Sequence, residues 1–260
     1  MGKDNNVIKL AFTGSTKLTL KGMGQVLKLS KFKIVGLYGL NDQKLSSKVN
    51  SVNMGKFCHD NNITLNKTED WNSFYYFCLQ NKVDMIITLG DSRIIPKNIV
   101  NKFEVIGNHG AVLPYVQGAA SLVWGRMLNS GNWGVSIMRI GEKIDSGEIL
   151  KTKNFTYTNS TTEEEFVSMA DNITIEILLE VLNGDFAPKE NNRWNIKIAK
   201  HTDSFTVKQI LEFCLKNNLS VYLPPRTPED SVVKNQWPEE FKVNFKKSND
   251  FPYPKWSDQE

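Results

Sequence analysis

The chain has 260 residues, 40% hydrophobic and 23% charged, with 32 Lys and Arg against 28 Asp and Glu for a net charge of +4. That length buries a full core as one domain with an appendage or as one and a half domains, and so mild a charge, with Lys interleaved among Asp and Glu, gives little support to nucleic-acid binding and hints only weakly at an anionic substrate. No apolar run approaches the roughly 20 residues of a membrane span. The opening MGKDNN has no signal-peptide core, and Asn6 stands where myristoylation would want Ser or Thr, so the expected location is the cytoplasm. Cys58, Cys78 and Cys214 are scattered without metal spacing; they read as half-buried thiols in a reducing compartment, and no metal site is expected.

In chain order, Val7 to Phe12 is a short buried strand that stops at Thr13-Gly14-Ser15-Thr16 and feeds a helix to about Ser30. Ile34 to Tyr38 is the next strand. Helical spacing runs from Leu45 to Asn61, Ile63 to Leu65 is a short strand, and a helix over Trp71 to Gln80 precedes Val83 to Leu89, the most strand-like run in the chain. Strands alternating with helices at this pitch predict an α/β protein with a doubly wound, mostly parallel sheet. A dinucleotide turn needs Gly-x-Gly-x-x-Gly, but only Gly14 lies in the first turn, so it reads as a turn residue needing a permissive backbone.

Beyond Leu89, the loop Gly90-Asp91-Ser92-Arg93-Ile94-Ile95-Pro96 leaves the carboxyl end of a central strand. It reads equally as the wall of a site for a flat heterocycle or as a connector whose Ile94 and Ile95 plug the core. Phe103 to Ile106 and Trp133 to Ile140 are strands flanking a helical stretch from Ala119 to Asn129. His109 follows the first and Asp145 the second, in loops where a rigid sheet aims exposed side chains. Trp124 and Trp133 read as core, His59 and His201 as surface, and Glu163 to Glu165 as the solvated acidic first turn of a helix starting near Thr161 or Thr162. Trp194 to Ala199 alternates like a strand, Phe205 to Lys216 is an amphipathic helix, and Val221 to Pro225 ends in an extended turn. From about Arg226, Trp237, Phe241, Phe245, Phe251, Tyr253 and Trp256 predict a tail docked on the body or on a partner subunit.

Two motifs in this order, His109-Gly-Ala-Val-Leu-Pro114 and Ile144-Asp145-Ser-Gly147-Glu-Ile-Leu150, with Gly118 and Gly134-Val-Ser-Ile137 between them, resemble the formyltransferase family over about residues 7 to 185. The resemblance implies a Rossmann-like catalytic core over residues 1–190, a small C-terminal extension over 191–260, and 10-formyltetrahydrofolate as formyl donor. It makes His109 the group that assists proton movement or donates to the oxyanion, Asp145 the carboxylate that holds the imidazole or a bound water, and Asn108 or a backbone N–H the oxyanion donor. Leu89, Gly90, Arg93, Ile94 and Ile95, with Asp145, would contact the folate. Two positions depart from the pattern. The family's Asn-x-His would put Asn at Gly107, whereas this chain has Asn108 directly before His109; and the usual Arg-Gly is Gln117-Gly118. On an extended backbone the side chains at 107 and 108 oppose, so Asn108 replaces the missing amide only through a bulge. Members with a modest C-terminal extension and no basic stripe are the sugar N-formyltransferases, so a nucleotide-linked amino sugar is the expected partner, in a homodimer, with no nucleic acid or membrane. The alternatives are glycinamide ribonucleotide or another small amine as acceptor, and a non-catalytic homologue that binds folate or nucleotide.

Overall fold

A computed structural model describes residues 7–47, 50–67, 70–250 and 256–259. Phe251 and Tyr253 of the tail therefore lie outside the described residues. The fold is α/β, with a mostly parallel sheet of seven strands flanked by helices. It divides into two compact units, residues 1–108 with 139–142, and residues 109–138 with 143–260.

The first unit runs β1 (Ile8–Thr13), α1 (Lys17–Val26), β2 (Phe32–Tyr38), α2 (Asp42–Ser47), α3 (Gly55–Asp60), β3 (Thr64–Asn66), α4 (Trp71–Gln80), β4 (Met85–Thr88), α5 (Lys97–Val100) and β5 (Glu104–His109). Strand β1 pairs in parallel with both β2 and β4, and β4 with β5, so the winding reverses beside β1. A reversal of that kind opens a crevice at the carboxyl ends of the strands. There Gly14 holds φ +131°, as a permissive turn residue would. Ala11, Tyr38, Phe74, Cys78, Ile86 and Val105 form the core, and Ile95 packs against it while Ile94 stands 71% exposed. The helix expected over Leu45 to Asn61 is instead two: Ser51 bridges to Thr16, and a new helix starts after Met54. Cys58 and Cys78 are fully rather than half buried, which pushes their thiols up to about 11 and about 12.

The second unit carries β6 (Val116–Gly118), α6 (Ser121–Leu128), β7 (Asn132–Arg139), β8 (Ile149–Thr156), α7 (Glu163–Leu182), β9 (Ile196–Lys197), α8 (Ser204–Lys216), β10 (Val221–Leu223), β11 (Val232–Val233), α9 (Glu239–Ser248) and β12 (Ser257–Asp258). Strands β6, β10 and β9 form a small parallel sheet, and β7 and β8 pair antiparallel. Of the strand expected over Trp194 to Ala199, β9 covers Ile196 and Lys197, and beyond it the Ile198 N–H still donates to the Tyr222 carbonyl at 3.0 Å. Residue 190 lies inside this unit, where Gln117 Nε2 donates to the Asn192 carbonyl at 2.8 Å. In the tail, α9 repeats Phe241 and Phe245 at helical spacing, and both are buried with Trp237, whose indole N–H donates to Asp203. Lys246 covers the Trp256 ring at 4.1 Å.

The acidic start of α7 corrects one expectation. Glu165 does complete a capping box with Thr162 at the surface, but Glu163 points inward. Its carboxylate is 1% exposed, lies 3.8 Å from Nε of the fully buried Arg126, and accepts no hydrogen bond among the described residues. Burial outweighs the attraction of Arg126 and pushes the carboxyl up to about 8. A raised acid means that the folded chain binds more protons than the unfolded chain between the ordinary 4.5 and about 8. Stability should therefore fall as pH rises through that window, an effect fully developed only above about 8. Urea unfolding across it should show a negative slope that Glu163→Gln removes; an unchanged slope in the variant would place the titration elsewhere.

Candidate functional site

His109 is the last residue of β5 and is 7% exposed. Its Nε2 lies 2.9 Å from the carbonyl oxygen of Val116 on β6. A carbonyl only accepts, so Nε2 carries the proton and Nδ1 is left as the nitrogen free for chemistry. Nδ1 faces Asp145 Oδ1 at 3.5 Å, too far for a good direct hydrogen bond and near enough for one polar hydrogen of a third group to reach both.

Asp145 sits in the loop between β7 and β8 with φ +48°, a left-handed conformation that Asp tolerates better than most side chains. Two contacts keep it there. The Gly118 N–H donates to Oδ2 at 2.6 Å, and Asn191 Nδ2 donates to the Asp145 carbonyl at 2.7 Å. Gln117, standing where the family pattern has Arg, is 1% exposed and spends its amide on the carbonyls of Pro114 and Asn192. It anchors the segment that ends in Gly118. His109 and Asp145 are thus brought together by contacts through Val116, Gly118 and Asn191 that no local pattern announces.

In the first unit, Asn108 Oδ1 accepts the Gly90 N–H at 3.0 Å, which leaves its Nδ2 without an acceptor among the described residues. The Leu89 carbonyl accepts the Thr19 hydroxyl at 2.7 Å. Arg93 donates to both oxygens of Asp91 and to the Tyr38 and Gly39 carbonyls, with its guanidinium over the Tyr38 ring at 4.4 Å. These bonds shape the loop and occupy its donors. The backbone N–H and C=O groups of Ile94 and Ile95 make no hydrogen bond among the described residues. An exposed apolar side chain beside unpaired backbone groups suits the edge and face of a flat heterocycle.

The sequence matches the family described as Formyl transferase over residues 20–182. This chain belongs to the formyl transferase family. The methionyl-tRNA formyltransferase of Prochlorococcus marinus is 25% identical over 203 residues, covering 75% of this chain and 61% of that protein. The chain thus spans less than two thirds of that relative's length. Among solved structures, the methionyl-tRNA formyltransferase from Clostridium thermocellum superposes with a TM-score of 0.64 at 17% identity, covering 97% of this chain and 88% of that one. An N-formyltransferase from Helicobacter canadensis, solved with folinic acid and dTDP-3-aminofucose, gives 0.62 at 14% identity, covering 93% and 80%. At such identities the structural likeness concerns the fold.

Against the Asn-x-His pattern of formyltransferases, Gly107 has a steric cause. A Cβ there would lie 2.5 Å from Ile140 Cδ1 and 2.7 Å from Thr88 Cγ2. Gly107→Asn should therefore overpack the first unit and cost about 1–3 kcal/mol. Chemical denaturation measures this, and an unchanged or raised midpoint would mean that the position accepts the family residue.

Proposed function

We propose that the chain moves a formyl group from 10-formyltetrahydrofolate to the amine of a nucleotide-linked amino sugar. The observation that carries the chemistry is the His109–Asp145 pair: a buried imidazole with one nitrogen committed to a carbonyl and the other turned to a carboxylate at 3.5 Å. When bound, the folate supplies a formyl carbon on a nitrogen able to leave as an amine. His109 Nδ1 accepts the proton that the attacking amine gives up and returns it to the departing nitrogen. Asp145 Oδ1 orients the incoming amine and balances the imidazolium while it lasts. Asn108 Nδ2, whose carboxamide the Gly90 N–H fixes through Oδ1, or a backbone N–H is the proposed donor to the oxygen on which charge develops; β5 pairs with β4 as far as Gly107 without a bulge. Leu89, Gly90, Ile94 and Ile95, in the loop that Arg93 shapes, are the proposed folate contacts, and Asp145 faces the transferring group.

The amino-sugar reading is supported by the fold shared with the Helicobacter canadensis N-formyltransferase, solved with an aminosugar nucleotide, while the methionyl-tRNA formyltransferase from Clostridium thermocellum shares that fold over as much of both chains. The sequence relatives favour methionyl-tRNA as a second acceptor. In this reading residues 1–190 carry the catalysis and 191–260 extend it, in a homodimer. The unpaired, buried thiols suit a reducing cytoplasm.

The test is the release of free tetrahydrofolate from 10-formyltetrahydrofolate with a panel of amino-sugar nucleotides, glycinamide ribonucleotide and methionyl-tRNA. Release with an amino-sugar nucleotide is expected, with His109→Asn and Asp145→Asn each slowing it by about 10²–10⁴-fold. Tight folate binding without release to any amine would instead make the chain a binding module.

A further inference from the structure

Asp145 sits in a loop with little framework of its own. Between Lys143 and Gly147 no backbone group pairs with another backbone group among the described residues, and the local tie is the Ser146 hydroxyl, which donates to the Lys143 carbonyl at 2.8 Å. The left-handed backbone at Asp145 is therefore held from outside the loop. For its carbonyl the only donor among the described residues is Asn191 Nδ2, at 2.7 Å and 46 positions further along the chain.

Asn191 is itself held at the other end of its carboxamide. Gln117 Nε2 has two hydrogens and three acceptors in reach: the Asn192 carbonyl at 2.8 Å, the Pro114 carbonyl at 3.2 Å and Asn191 Oδ1 at 3.4 Å. A carbonyl only accepts and an amide nitrogen only donates. Both neighbours thus require the same orientation of Asn191, with Oδ1 toward Gln117 and Nδ2 toward Asp145. Strand β6 holds Asp145 twice, from the Gly118 N–H to the carboxylate and from Gln117 through Asn191 to the backbone. Neutral amides make the second tie without bringing a cation to the carboxylate.

Asn191 lies beyond residue 182, where the match to the formyl transferase family ends. We infer that Asn191, clamped by Gln117, is a positioning residue for formyl transfer, because its bond to the Asp145 carbonyl keeps Oδ1 beside Nδ1 of His109. The inference rests on the formyl-transfer reading and carries it past the matched region: a side chain of the C-terminal extension sets the geometry of the reaction without touching the transferred group. Asn191 is none of the residues assigned to folate, so its loss falls on turnover rather than on folate binding.

Two measurements on the full chain test this. Formyl release from 10-formyltetrahydrofolate to a dTDP-linked amino sugar should show kcat about tenfold lower in Asn191→Ala, with KM for the folate changed by less than about twofold. Gln117→Met keeps the shape and removes the donor, and it should lower kcat less than Asn191→Ala does. Glu190→Ala, at an exposed neighbour, should move neither constant. Asn191 is only partly buried, so its variant keeps the test alive should Gln117→Met fold poorly. Amide exchange followed by NMR needs no substrate: with Asp145 loosened, the Gly118 N–H should exchange about tenfold faster in Asn191→Ala, while the β7 amides keep their rates. Faster exchange at Gly118 with no formyl release to any amine would support the positioning role and end the transfer reading. Formyl release with kcat unchanged in Asn191→Ala would overturn the role of Asn191 and leave the transfer reading standing. Exchange that is unchanged at Gly118, or that quickens equally throughout β7, would overturn that role whatever the activity, the second by showing that Asn191 only stabilises the fold.

Discussion

The structure around the candidate site depends on how one carboxylate is held. Asp145 occupies a left-handed backbone position, and its side chain and carbonyl are both tied, to Gly118 and Asn191. Through those bonds the loop after β7, the end of β6 and the segment before β9 become one frame around the imidazole of His109. A bond from a backbone N–H orients the Asp145 side chain without adding a cation that would compete with the imidazole for it. The 3.5 Å gap that remains between Nδ1 and Oδ1 is what a polar hydrogen from a third group can occupy.

Glu163 shows the opposite arrangement of the same chemistry. It faces a cation, Arg126, yet it has no hydrogen-bond donor among the described residues and almost no exposure. Desolvation then dominates, and the carboxyl is driven toward its neutral form. One carboxylate is partly open and bonded to a backbone donor; the other is sealed and starved of donors. The first suits orienting a group beside the imidazole, and the second is a cost borne by the packing of α6 against α7.

Much of the fold was legible because local signals agreed with the final structure. Asp70 caps α4, whose limits match the helical spacing from Trp71 to Gln80, and the apolar run ending at Leu89 became the central β4. The two histidine and aspartate motifs are recognisable one by one. What joins them is not: Val116, Gly118, Gln117 and Asn191 act through backbone groups and amides that any loop carries. Strand β8 was missed because its outward positions are Lys, Thr and Asn, and α9 because Pro238 and so many Lys and Glu hide the Phe241–Phe245 stripe. Glu163 misled because an acidic first turn usually faces water; only tertiary packing turned this residue inward.

The central claim is that His109 and Asp145 act as one unit on the transferred group, and a double-mutant cycle on single-turnover formyl transfer measures it most directly. Groups sharing a proton through one gap should give strongly non-additive losses, with the Asp145→Asn, His109→Asn double variant little slower than His109→Asn alone. Losses that simply multiply would mean the two side chains act independently, and the account of a shared imidazole and carboxylate would be wrong.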